Sequence, residues 1–298
     1  MIAITPTPET QTGKYLEQGF EVFFLRNDAL ELALVPALGA KIISLRNVVT
    51  GHEWMWHPPG GRKLFRNRLG DDFASSTMIG WDECIPTIAP CVWKRRQLPD
   101  HGEIWSVPWC IDLAAFCRGI LKTSVTFAIS PFHFERRIEL RGNEIHLNYR
   151  LENVSNLAEE FLWAMHPLLP VRDGDQLELT AETRKYLAGE QWINDLKFKP
   201  EKPACAKVYA GPLREGQAGF VNSATRDRLR FEWDTKANNT LGLWLTRGGW
   251  NGYHHLVLEP INGAPDPLDV AAKTGRCGIV PPRETLFWNV KVTVSSEF

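Results

Sequence analysis

The sequence predicts an all-β protein built as a large antiparallel sandwich, and three observations lead there. Short apolar runs alternate with polar residues at period two. Clusters of Gly, Pro, Asn and Asp separate those runs. No window holds an i, i+3, i+4, i+7 apolar stripe long enough for more than one or two short helical turns. The strand runs fall first at 21–26, 31–36 and 41–46, then at 121–129. The clearest pair follows. Residues 134–140 lead into Arg141, Gly142, Asn143 and Glu144, after which Ile145, Leu147, Tyr149 and Leu151 alternate with His146, Asn148, Arg150 and Glu152. That pattern is a half-buried hairpin. Runs at 161–165, 228–233, 241–246, 255–259 and 286–294 complete the series. No stretch reads as a linker, so one domain is expected over residues 1–298, a length that a single all-β domain can reach.

Composition narrows the function. Lys plus Arg number 34 against 35 Asp plus Glu, a net charge of −1, which lacks the electrostatic footprint of a nucleic-acid or anionic-membrane binder. A neutral small molecule fits that balance better, and the chain is expected to act without a nucleic-acid or membrane partner, as a monomer or homodimer. The N-terminus has no basic stretch followed by an apolar one, and no window approaches the roughly 18 apolar residues of a membrane span, so a cytoplasmic location is expected. Six cysteines without a Cys-x-x-Cys pair read as reduced thiols. Twelve tryptophans are unusual and suit either a carbohydrate cleft or a sandwich core.

Common catalytic signatures are missing. There is no phosphate-binding G-x-x-x-x-G-K-[ST], no dinucleotide G-x-G-x-x-G and no G-x-S-x-G elbow. His52 and His57 bracket a stretch one residue too long for a zinc-protease H-E-x-x-H, and the adjacent His254 and His255 would point to opposite faces of a strand. No metal is expected.

Three segments carry candidate chemistry. His101 sits in a turn beside Gly102, with room for a ligand to approach. His166 shares a strand face with Leu162 and Ala164, opposite Phe161, Trp163 and Met165. Glu259 shares a face with His255 and Val257 at the end of an apolar strand that Pro260 stops. A carboxylate in such a place is costly to bury unless it is paired or working. Two histidines and a glutamate fit acid/base work, but periodicity alone cannot bring them together.

The order of motifs supplies that step. Residues 34–45 (LVPALGAKIISL), then Thr50-Gly51-His52-Glu53-Trp54, then His101-Gly102, then His166-Pro167, then Leu258-Glu259-Pro260 with Ala264-Pro265-Asp266 follow one another along nearly the whole chain. This series resembles the aldose 1-epimerase (galactose mutarotase-like) superfamily. The resemblance implies a β-supersandwich of stacked antiparallel sheets with an open, cofactor-free sugar cleft. It implies interconversion of α and β anomers, with Glu259 as base, His166 as acid and His101 donating a hydrogen bond toward the ring oxygen or a neighbouring hydroxyl. With reference pKa values of about 4.3 and 6.5, Glu259 and His166 are expected to coexist as carboxylate and imidazolium, each reinforcing the other.

The sequence departs from the family pattern around the sugar. Leu168-Leu169 follows His166-Pro167, and Glu103-Ile104-Trp105 follows His101-Gly102. Arg66 and Arg68 lie in the 64–72 loop, where the family often carries a substrate-contacting arginine, and Arg68 is a candidate contact. Trp81, Asp82 and Glu83, placed between that loop and His101, offer a flat apolar face and two carboxylates to a sugar; the other reading is a solvated turn with Trp81 in the core. Two further functions stay open: a carbohydrate-binding protein without turnover, and a lyase or hydrolase on the same fold.

Overall fold

The structure is a computed structural model that describes residues 10–76, 78–197 and 202–296. Two large antiparallel sheets carry it. The first has nine strands in the spatial order Gln11–Glu17, Phe20–Arg26, Leu30–Val35, Lys41–Asn47, Trp81–Cys84, Ala164–Pro170, His254–Ile261, Thr240–Arg247 and Ala204–Ala210. The second has eight: Gln176–Leu179, Gln217–Val221, Asp227–Trp233, Thr285–Ser296, Glu144–Asn153, Phe132–Arg141, Leu121–Thr126 and Cys110–Ile111. The first sheet therefore gathers segments from both ends of the chain, because the stretch between its fifth and sixth strands supplies four strands to the second sheet.

Alternation decides which side chains meet. In the expected hairpin Phe134 opposes Leu151 and Ile138 opposes Leu147, with Phe132, Phe134, Ile138 and Leu140 all buried. These face Leu32, Leu45, Leu243 and Leu258 of the first sheet in one continuous apolar core. Each fully buried Leu or Phe contributes roughly 1.5–3 kcal/mol relative to exposure, so the shared inner layer ties the sheets together. The outer face of the first sheet carries a separate cluster, Trp56, Phe73, Met78, Trp105, Leu168 and Val257, with Trp244, Trp250 and Tyr253 packed against it.

Several sequence expectations need correction. The described residues hold three short α-helices rather than one or two helical turns: Leu113–Phe116, Ala181–Tyr186 and Leu268–Lys273. Two are capped as their sequences dictate, with Asp112 accepting from Ala115 N and Thr180 from Thr183 N. The run at 161–165 belongs to two strands: Glu159–Phe161 pairs with Gly278–Val280, while Ala164–Pro170 enters the large sheet. Between them Asn262 Oδ1 takes the Trp163 amide and the Pro86 carbonyl takes that of Leu162, so the backbone leaves one sheet for the other without orphaned donors. The stretch from Trp81 to Cys84, which the sequence presents as a turn or cleft edge, is a fully buried strand. Among the described residues no helix is long and apolar enough to cross a membrane.

Candidate active site

One transverse row of side chains crosses the outer face of the first sheet. Asp82 is the registered partner of His166. Ala164 pairs with Ile261 and Leu168 with Val257, which sets His166 opposite Glu259 between them. Glu259 pairs with Gly242, and Gly242 with Tyr209. Cross-strand partners share a face, so five strands converge on one line, extended at its far end by Lys41, whose ammonium is ion-paired to Asp82. The sequence-level face of His255, Val257 and Glu259 is the face observed, as is that of Ala164 and His166.

His166 Nε2 lies 3.5 Å from Glu259 Oε1, and both side chains are buried. Lys207, two residues before Tyr209 and therefore on the same face, places Nζ 3.0 Å from Glu259 Oε2 and 3.0 Å from Asp266 Oδ1. Lys207 holds Glu259 Oε2 as an ion pair, while Glu259 Oε1 and His166 Nδ1 have no hydrogen-bond partner among the described residues. Gly242 makes room for this arrangement. A Cβ at Gly242 would sit 2.6 Å from Glu259 Oε2, so the glycine leaves the space that the carboxylate occupies over this strand.

His101 arrives from a loop on the opposite wall. Its backbone has φ of 56°, and a Cβ on the following Gly102 would come within 2.0 Å of the Ile85 carbonyl oxygen, so only glycine lets the turn close against the core. Asp100 Oδ1 lies 2.9 Å from His101 Nδ1, while Asp100 Oδ2 accepts the Phe73 amide at 3.0 Å. Phe73 stacks on the imidazole with ring centroids 3.9 Å apart, and the His166 ring stands edge-on to His101 at 5.2 Å. Phe73, Asp100, His101 and His166 line a cleft of about 220 Å³ together with Trp244, Trp250, Lys207 and Asp266, while Glu259 is fully buried and adjoins the cleft through His166 and Lys207. This volume is below the roughly 300 Å³ at which sites for drug-sized ligands begin and suits a single small polar molecule.

Electrostatics revise one expectation. His166 is not held as an imidazolium beside Glu259. Burial, with His101 and Lys207 nearby, pushes its pKa well below the usual histidine range. Burial also raises the Glu259 carboxyl above its ordinary range, with Lys207 pulling down and Asp266 pushing up. Desolvation is the largest cause for both members and disfavours the charged form of each. Burial likewise works against the Asp100 charge, but the bond to His101 prevails and holds this carboxyl below its ordinary range.

The remaining sequence candidates lie elsewhere. Trp81 and Glu83 point into the core between the sheets. Trp81 lies 6.1 Å from the Phe231 ring, and Glu83 accepts from Arg136 Nη1 at 2.9 Å, Trp163 Nε1 at 2.9 Å and the Tyr149 hydroxyl at 3.1 Å. Neither reaches the cleft, because a strand residue can face only one side of its sheet. Asp82 faces the site side but is sealed beneath it by Lys41. Arg68 is exposed in its loop, outside the cleft lining. Lys207, Asp100 and Phe73 were not legible as site residues. In a wider concavity of about 360 Å³ over the first four strands, Arg62 is engaged by Glu17, and Glu53 by Ser44 and two backbone amides. Among the described residues no group of three or more His, Cys, Asp or Glu is placed to hold a metal.

The two stacked antiparallel sheets have the galactose mutarotase-like fold, as comparison with solved structures shows. Matches include Slr1438 from Synechocystis (18% identity, all of both chains covered, TM-score 0.69) and a galactose mutarotase-like protein from Clostridium acetobutylicum (12% identity, 97% of this chain and 99% of that one, TM-score 0.72). A protein named provisionally as an aldose 1-epimerase, from Klebsiella pneumoniae, matches at 14% identity over 97% of this chain and 83% of its own, with a TM-score of 0.71. No family model and no curated protein matches the sequence.

Proposed function

We propose that the cleft interconverts the α and β anomers of an aldose or a related sugar by acid/base ring opening. The observation that carries this reading is the buried His166–Glu259 pair at 3.5 Å, of which His166 lines, together with His101, a monosaccharide-sized cleft. Mutarotation needs one proton removed from the C1 hydroxyl and one delivered to the ring oxygen, followed by rotation about C1–C2 and closure on the other face. The reacting form is the one with His166 protonated and Glu259 ionised: Glu259 takes the first proton, the His166 imidazolium gives the second and becomes neutral imidazole, and His101, oriented through Nδ1 by Asp100, hydrogen-bonds the ring oxygen or its neighbour.

The opposed displacements of the two pKa values assist this chemistry. Glu259 binds a proton more tightly than a free carboxylate and His166 less tightly than a free imidazole. Passing a proton from the His166 imidazolium to the sugar and another from the sugar to Glu259 therefore leaves a neutral imidazole and a neutral carboxyl, the two forms that burial favours. Closure on the opposite face returns both protons. General acid/base steps of this kind contribute about 10²–10⁴-fold each. Trp244 and Trp250 give the sugar's C–H face an apolar wall.

Polarimetry or NMR anomer exchange on freshly dissolved α-D-glucose, α-D-galactose, uronic acids and sugar phosphates tests the reading. Acceleration by the wild type that is lost in Glu259→Gln and His166→Asn is the expected result. Binding without acceleration favours a carbohydrate-binding protein, and new products favour a lyase or hydrolase.

A further inference from the structure

No proton-transfer step above uses Lys207, yet it is the cation nearest the proposed base. We propose that Lys207 is a positioning residue that shares its ammonium between Glu259 and Asp266 and so keeps Glu259 ionised and directed at His166. The inference rests on Glu259 being the base. Lys207 Nζ stands 3.0 Å from an oxygen of each carboxylate, in the lining of the cleft, with its side chain 23% exposed.

The groups around Glu259 leave Lys207 without a substitute. The Ala164–Pro170 strand contributes His166, which burial keeps neutral, and the Trp81–Cys84 strand contributes the Cys84 thiol and Asp82, whose charge is met by Lys41. The Ala204–Ala210 strand presents Lys207 and Tyr209, the segment after Glu259 presents Asp266, and His101 faces from the opposite wall. Without Lys207, two carboxylates would face each other with no cation between them. One of them would then retain a proton, and it would be the fully buried Glu259 rather than the partly exposed Asp266. Burial works against the ammonium, but the two carboxylates prevail and make Lys207 hold its proton more firmly than free lysine, so it serves as neither nucleophile nor acid. Gly242 adds to the device, because a Cβ there would crowd the Glu259 carboxylate and oblige it to shift.

The test is a ¹³C NMR titration of the Glu259 carboxyl, assigned with Glu259→Gln, in wild type, Lys207→Met, Lys207→Arg and Asp266→Asn. In Lys207→Met the carboxyl should titrate about one to three pH units higher, with Lys207→Arg near wild type. Asp266→Asn should move it lower by leaving Lys207 to Glu259 alone. Should Lys207→Met fail to fold, Asp266→Asn decides. An unmoved Glu259 titration in folded Lys207→Met, or in Asp266→Asn, overturns the proposal. The acid limb of the anomer-exchange rate should follow the same displacement. If the wild type accelerates no sugar, the base assignment falls while the titration still reads the pairing.

Discussion

Glu83 and Glu259 are both fully buried glutamates in the same sheet, and each is paired with one main cation, but they face opposite sides. Glu83, in the inner layer, has three donors aimed at its two oxygens from Arg136, Tyr149 and Trp163. Arg136 in turn donates to the Ala40 carbonyl and lies 5.2 Å from the centre of the Trp109 ring. Glu259, on the outer layer, has Lys207 as an ion-pair partner at Oε2 and His166 at 3.5 Å from Oε1, with no hydrogen bond completing Oε1 among the described residues. Burial raises the pKa of both. The difference lies in satisfaction rather than depth. A buried carboxylate whose lone pairs are filled holds sheets together, and one with a lone pair left open beside a cleft is available for chemistry.

Substitutions can break that contrast. The largest effect is expected from Glu259→Gln: anomer exchange should fall by about 10²–10⁴-fold, with thermal stability kept or slightly raised because a buried charge has been removed. Arg136→Met should do the reverse, costing about 3–5 kcal/mol by leaving Glu83 uncompensated, measured by denaturant unfolding. If Arg136→Met is as stable as wild type, the inner network is not what joins the sheets.

His255 sharpens the comparison from a third position. It is fully buried among Trp56, Trp244 and Tyr253, and neither ring nitrogen has a hydrogen-bond partner among the described residues. Burial pushes its pKa down to about 3. The folded value lies below the unfolded value near 6.5, so the unfolded chain takes up the proton first, and stability is lost as pH falls from about 6.5 toward 3 at roughly 1.4 kcal/mol per pH unit. His255→Phe should flatten that loss, a gain of about 2–3 kcal/mol at pH 4.5 relative to the wild-type decline. Parallel acid unfolding curves would show that His255 does not drive it. The smallest effect is expected from Arg68→Ala: exposed and away from the cleft, it should change stability by less than about 0.5 kcal/mol and leave anomer exchange unaltered. A raised KM in that variant would bring the 64–72 loop back into the site.

How much was legible depended on range. The 132–153 hairpin and the faces carrying His166 and Glu259 follow from period two within one strand, and the structure reproduces them. Motif order then brought three remote residues into one expectation, and the structure sets two of them side by side with the third across the cleft. Lys207 was hidden because Ala204–Ala210 has little polar alternation, and its role follows only from pairing with Thr240–Arg247 and, beyond it, the Glu259 strand. Trp81, Asp82 and Glu83 misled for a related reason. Two consecutive charges after a glycine read as solvated unless their counter-charges are known, and these come from Lys41 and Arg136, both distant in sequence.

The transverse row also makes the cleft a reporter of assembly. Asp82, His166, Glu259 and Tyr209 come from separate stretches of chain, and sliding any one strand by a residue would turn its contribution to the opposite side of the sheet. Such long-range pairings form slowly. During refolding, tryptophan burial and sheet signal should therefore recover before turnover does, and the lag between them would time the moment at which the central strands lock into register.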